Sequence, residues 1–184
     1  PFGSYNVSVA QAIESANRIL METNCDAVKL EGGKDMAPAV ESMVKAGISV
    51  VGHIGLTPQT SVSFGGFKVQ GGTPESAVAL IEDAKALEAA GAIGIVVECV
   101  PSVVAKAMTE AVSIPIMGIG AGPDVDAQVM VTQDLLGMYG DFKPKFVKHF
   151  ANIREEMIKG LNEFHTESLS GAFPTPEFSF NKAI

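Results

Sequence analysis

Four titratable side chains stand where apolar segments end. Lys29 and Glu31 close Ala27-Val28-Lys29-Leu30-Glu31, His53 closes Ile48-Ser49-Val50-Val51-Gly52-His53, and Glu98 closes Gly94-Ile95-Val96-Val97-Glu98. A charge in such a place is costly to desolvate unless it is paired, hydrogen-bonded or bound to a metal. Lys29 and Glu31 are two residues apart, so on a strand both point to the same side. Together they offer a fixed positive charge and an anionic oxygen, which suits an anionic substrate chelated on a hard divalent cation such as Mg²⁺. A structural ion pair explains the same spacing, and the spacing leaves both open. Glu98 lies among apolar neighbours, where a carboxylate holds a proton more tightly and can serve as a general base. A helix-facing or capping carboxylate before Pro101 is the other reading of that position. His53, between Gly52 and Ile54-Gly55, is either a hydrogen-bonded core histidine or part of a site.

Other segments carry weaker signals. Gly118-Ile119-Gly120-Ala121-Gly122-Pro123 is no dinucleotide fingerprint: its third glycine comes too early, and Pro123 interrupts the turn. It reads as a tight strand exit where backbone approaches a ligand closely. Asp124 and Asp126 read as turn caps rather than metal ligands. His149 and His165 fall on the terminal helical pattern and read as structural or exposed.

Strand and helix patterns alternate around these residues. Ser8 to Gln11 has capping-box spacing, with Ile13, Ala16, Ile19 and Leu20 following at helical period. Helices are also expected from Pro38 to Lys45, from Thr73 to Gly91 and from Ser102 to Ala111, with strands between them and a further strand at Ile114 to Ile119. Val129-Met130-Val131 is expected as the last strand, and an amphipathic helix from about Phe146 to Ser168 closes the pattern. The strands are continuous apolar runs, as expected of parallel strands buried on both faces. Such alternation predicts an α/β fold with right-handed crossovers. All four titratable residues then lie at C-terminal strand ends, the face on which parallel α/β folds assemble their sites. One connection is long. It contains Ser63 to Gly72, with four glycines, and reads as a lid or substrate-covering turn.

Composition narrows the class. The 184 residues are 47% apolar, enough for a sizeable core and against disorder. No apolar run is long enough for a membrane span. The net charge of −8 argues against a nucleic-acid surface. Cys25 and Cys99 form no metal-binding spacing and fit two free thiols in a reducing compartment. No linker interrupts residues 1–184, so one domain is expected, with a C-terminal helix and tail over about 145–184. The tail from Phe173 to Phe180 is apolar enough to pack on the body or on a neighbouring subunit.

Taken together, these segments resemble the ketopantoate hydroxymethyltransferase family. The resemblance is carried by Pro1-Phe2-Gly3-Ser4-Tyr5, Ala27-Val28-Lys29-Leu30-Glu31-Gly32-Gly33, Gly52-His53-Ile54-Gly55-Leu56-Thr57-Pro58-Gln59, Lys68-Val69-Gln70-Gly71, Val97-Glu98-Cys99-Val100-Pro101, Gly118-Ile119-Gly120-Ala121-Gly122 and Pro144-Lys145-Phe146-Val147-Lys148. It implies a (βα)8 TIM barrel of the phosphoenolpyruvate/pyruvate superfamily. It also implies transfer of a hydroxymethyl group from 5,10-methylenetetrahydrofolate to 3-methyl-2-oxobutanoate, giving 2-dehydropantoate for pantothenate and coenzyme A biosynthesis. Carried over residue by residue, Lys29 and His53 would bind substrate, Glu31 would lie in the Mg²⁺ site, and Glu98 would accept the proton.

The resemblance further implies two metal- and substrate-site aspartates upstream of Pro1, and hence an N-terminally incomplete barrel that keeps about the last five βα units. A barrel of this kind takes about 250 residues, which agrees with that expectation. The family's habit implies a homo-oligomer, a decamer, acting in the cytoplasm or, in a eukaryote, in mitochondria, with no nucleic-acid or membrane partner. Two alternatives accompany this reading. One is another Mg²⁺-dependent 2-oxo acid aldolase or lyase of the same superfamily. The other is a barrel fragment that is inert as isolated.

Overall fold

The computed structural model describes residues 1–140 and 143–180. The chain divides into two compact units, Pro1–Val129 and Met130–Ile184.

The first unit opens with helix α1 (Val9–Glu22). Ser8 caps it through its hydroxyl, which accepts from the Gln11 N–H at 3.2 Å. The Gln11 side chain folds back to the Gly3 carbonyl and the Val7 N–H rather than closing a reciprocal box with Ser8. Ala12 and Ala16 form the buried stripe of α1, small enough to let α2 (Ala37–Lys45) approach closely. Between them runs β1 (Val28–Lys29). Pro38 suits the first turn of α2, where its missing N–H costs nothing. Then follow β2 (Val50–Gly55), α3 (Pro74–Ala89), β3 (Gly94–Glu98), α4 (Ser102–Ala111), β4 (Ile116–Ile119) and β5 (Ala127–Gln128). Helix α3 carries a full capping box between Thr73 and Ser76.

All four strand pairings are parallel, and the sheet order is β1-β2-β3-β4-β5. Each crossover therefore advances the sheet in one direction. A doubly wound sheet would reverse that order at a switch point; consecutive units of a βα barrel do not. Val50, Ile54, Ile95, Val97 and Ile116 bury the face that meets the helices, together with Val40, Met43, Leu87 and Met108. Gly52 lets Leu87 lie against the sheet, since any β-carbon there would crowd the leucine. The opposite face carries Val51, Val96 and Met117, which are only half-buried within this chain. The expectation of strands buried on both faces thus holds for the helix side and only partly for the other.

The last strand lies earlier than the Val129–Val131 expected from its apolar triplet. Ala127 and Gln128 make the pairing, with Met117 and Gly118. The cause is polar: the Asp126 carboxylate accepts from the Ile116 N–H at 2.8 Å and pins the register there.

The second unit contains the short helix α5 (Thr132–Leu135) and the 18-residue helix α6 (Ile153–Ser170), which ends at left-handed Gly171. Helix α6 begins seven residues after the expected Phe146. The backbone N–H groups of Phe150 and Ile153 donate to the carbonyls of Leu135 and Leu136. They are thereby withdrawn from the i to i−4 ladder. The Phe173 ring packs against Phe164 and Phe178, each at 5.8 Å between centroids, so this part of the tail folds onto its own helix. Residues 181–184 of the expected tail lie outside the described residues. No described helix is long and apolar enough to cross a membrane.

Candidate active site

The register explains how residues far apart in sequence meet. Lys29 pairs with Val51, and His53 lies two residues further along β2. His53 pairs with Val96, and Glu98 lies two residues further along β3. Each site residue is thus the diagonal neighbour of the one before, on the face away from the helices. The row climbs two residues per strand, and Glu31 continues the line of Lys29 just beyond β1.

Distances follow from that row. Lys29 Nζ lies 3.0 Å from His53 Nδ1 and 3.9 Å from Glu31 Oε1. Glu31 Oε1 is 3.8 Å from His53 Nδ1, and His53 Nε2 is 3.2 Å from Glu98 Oε2. The side chains of Glu31 and His53 are each 5% exposed, whereas that of Lys29 is 44% exposed and can meet a ligand from solvent. An ammonium has only donors, so His53 Nδ1 accepts from Lys29 and the neutral ring carries its proton on Nε2. That N–H faces Glu98, but the approach is too bent for a hydrogen bond, and Nε2 is buried without a partner among the described residues.

Backbone geometry holds Glu98. Its carbonyl accepts from the Leu56 N–H at 2.8 Å. Gly55, paired with Glu98, has φ +86°, and a β-carbon there would overlap that same carbonyl. Cys99 follows with φ +49°, a left-handed conformation rare outside glycine. The turn lets the Cys99 carbonyl accept from the Gln70 N–H at 2.9 Å, fastening the end of the glycine-rich connection beside Glu98. Burial pushes the Cys99 thiol up to about 11, with the charge of Glu98 acting in the same direction.

The structure gathers Lys29, Glu31, His53 and Glu98 into one cluster, all four of the residues singled out from sequence. Two further residues belong to it: Tyr5 and Gln59. The Gln59 N–H donates to Glu31 Oε2 at 3.0 Å, and the Tyr5 hydroxyl accepts from the Glu31 N–H at 3.3 Å while donating to Gln59 Oε1 at 3.2 Å. The only signal in the sequence was their place within the matching segments. Asp124 stays out of the cluster, its carbonyl accepting from Thr109. Asp126 pins β4, as described above.

Among the described residues, no group of three or more His, Cys, Asp or Glu side chains is placed to hold a metal ion. Glu31 nevertheless fits a Mg²⁺ site as a single ligand. Its Oε2 is engaged by Gln59, whereas its Oε1 lies 3.9 Å from Lys29 Nζ and 3.8 Å from His53 Nδ1, beyond hydrogen-bonding distance of either. Mg²⁺ commonly takes one or two carboxylates and completes its shell with water and substrate oxygens.

The parallel βα scaffold thus brings two carboxylates, an ammonium and an imidazole together at its strand ends. Sequence comparison places the chain more closely. Residues 1–176 match the family model described as ketopantoate hydroxymethyltransferase. The chain is 56% identical over 180 residues to the 3-methyl-2-oxobutanoate hydroxymethyltransferase of Heliobacterium modesticaldum, covering 98% of this chain and 65% of that protein. It is 52% identical over 181 residues to the protein of the same name from Clostridioides difficile, covering 98% of this chain and 66% of that one. The protein of that name from Syntrophobacter fumaroxidans is 52% identical over 183 residues, covering 100% and 65%. The chain belongs to the ketopantoate hydroxymethyltransferase family, and it spans just under two thirds of the length of these relatives.

Proposed function

We propose that this chain carries the proton-transfer half of an enzyme that moves a hydroxymethyl group from 5,10-methylenetetrahydrofolate to 3-methyl-2-oxobutanoate, yielding 2-dehydropantoate. The observation that carries the reading is the diagonal row Lys29, His53, Glu98 on the open face of the sheet, beside the buried Glu31. Family membership at 56% identity supports it.

In this reading Lys29 binds the oxo acid. Its ammonium is accessible, and it sets a positive charge beside the oxygen that becomes negative as the enolate forms. Glu98 removes the proton from C3 of the substrate. His53 keeps the Nε2–H next to the Glu98 carboxylate and stabilises its charged form until that proton arrives. Glu31 holds Mg²⁺, which when bound supplies Lewis-acid polarisation of the keto oxygen. Water releases the folate-borne carbon as formaldehyde, breaking both of its C–N bonds and leaving tetrahydrofolate; the C3 carbanion adds to the formaldehyde carbon, and the resulting alkoxide takes back the proton held by Glu98 to become the hydroxymethyl group.

The same reading places a homo-oligomer, a decamer, among the expectations. Met157, Ile158, Leu161, Phe164 and Leu169 leave an apolar surface on α6 that would suit a subunit contact. The functional test is a product assay on the intact protein. 2-Dehydropantoate is expected from 3-methyl-2-oxobutanoate only when 5,10-methylenetetrahydrofolate is added. Carbon–carbon cleavage or condensation of 2-oxo acids without folate would instead assign an aldolase or lyase.

A further inference from the structure

We propose that Tyr5 is a positioning residue for Glu31, aiming one carboxylate oxygen into the site through a closed ring of hydrogen bonds with Gln59. This rests on the reading of Glu31 as the cation-binding carboxylate.

Three segments meet at the Tyr5 hydroxyl: the stretch before α1, the exit of β1 and the turn after β2. The hydroxyl accepts from the Glu31 N–H and donates to Gln59 Oε1. The Gln59 N–H returns to Glu31 Oε2. Each group in the ring uses a donor to satisfy an acceptor on the next, so Tyr5, Gln59 and Glu31 fix one another. The consequence falls on Glu31. With Oε2 held by a backbone N–H, rotation of the carboxylate is blocked, and Oε1 stays turned toward Lys29 and His53. A free glutamate has three rotatable bonds, and freezing them before a ligand arrives removes that entropic cost from binding. Tyr5 is buried, so its ring is anchored by packing and only its hydroxyl does the aiming. Among the described residues, the hydrogen bonds of this ring join Tyr5 and Gln59 to Glu31 and to each other, so their effect on the site passes through Glu31.

Tyr5→Phe in the intact protein tests this, because it deletes the hydroxyl and keeps the ring. Gln59→Leu breaks the same ring of bonds from the other side. The amide exchange of Glu31 and Gln59, read by NMR without metal, is expected to quicken about fivefold or more in Tyr5→Phe, the size of one lost hydrogen bond. Calorimetry with Mg²⁺ alone is expected to show affinity weakened about fivefold. KM for the oxo acid should rise more than kcat falls. The double variant should be no worse than the poorer single one, since both remove one shared interaction. A purely structural tyrosine would lower the melting temperature and leave cation affinity and the KM-to-kcat split unchanged.

Wild-type exchange at Gln59 in both variants would overturn the proposal. So would Mg²⁺ affinity within twofold of wild type despite a loosened amide. If the wild-type protein bound no Mg²⁺, the cation reading of Glu31 would fall, and the exchange rates would still decide whether Tyr5 holds that side chain.

Discussion

Glu98 is held from two directions, by its carbonyl on Leu56 and by the left-handed turn at Cys99. That arrangement has a consequence for the neighbouring thiol. Cys99 is half-buried and pushed up to about 11, whereas Cys25 is exposed. Thiolate, not thiol, attacks alkylating reagents. Iodoacetamide at pH 8 should therefore modify Cys25 well before Cys99, by mass spectrometry of the digested protein. Faster labelling of Cys99 would show that its burial, and the turn that carries Glu98, are wrong. That Lys29, Glu31, His53 and Glu98 belong together was legible in the sequence because each stands at the end of an apolar run, where a charge needs a partner, and the structure supplies those partners from within the cluster. Tyr5 and Gln59 were not. A tyrosine beside a turn and a glutamine after a proline break no pattern, and their role appears only when the register brings residues 5, 31 and 59 together.

Helices and strands position these residues through polar ties at their ends. Glu88, near the end of α3, accepts from both the N–H and the hydroxyl of Ser113 at 2.6 Å, fastening the approach to β4. These two hydrogen bonds hold the Glu88 carboxyl below its ordinary range. A lowered folded value stabilises the folded state when the carboxylate is charged. The contribution is complete above the ordinary glutamate pKa of about 4.3 and fades as the pH drops through the lowered folded value. Glu88→Gln should therefore reduce the urea midpoint at pH 7, with the gap to wild type closing as the pH is lowered below 4. A gap that stayed constant with pH would remove the charge from the account. Helices with a proline in the first turn, α2 with Pro38 and α3 with Pro74 after Thr73, were read where the structure has them. The last strand and α6 were misplaced because hydrophobicity alone located them. Asp126 decides the register of β5, and the carbonyls of Leu135 and Leu136 decide where α6 can begin. Both are long-range partners with no local trace.

Stability is distributed unevenly over the molecule as a whole. Strands β2, β3 and β4 carry Val50, Ile95, Val97 and Ile116, all fully buried, while α6 has no buried residue along its 18 positions. Amides with few buried contacts around them open at low free energy. Hydrogen exchange should protect β2 to β4 by at least about a hundredfold more than α6 in the isolated 184-residue chain. Equal protection would mean that α6 is covered, as an oligomer contact would require. The net charge of −8 gives the chain no general attraction for an anionic oxo acid. In the proposed reaction, recognition of the oxo acid is therefore local, at the Lys29 ammonium, whose side chain is 44% exposed. The parallel strand order was legible from alternation and apolar runs; the half-open inner face was not, because the runs report apolar content and not what covers it.

The proposed removal of the C3 proton by Glu98 is open to direct measurement without folate. Intact protein with Mg²⁺ and 3-methyl-2-oxobutanoate in D₂O should exchange the C3 proton, and Glu98→Gln should lower that rate by about a thousandfold, within the usual range for loss of a general base. Undiminished exchange in Glu98→Gln would show that another group takes the proton, and the diagonal row would lose its catalytic meaning.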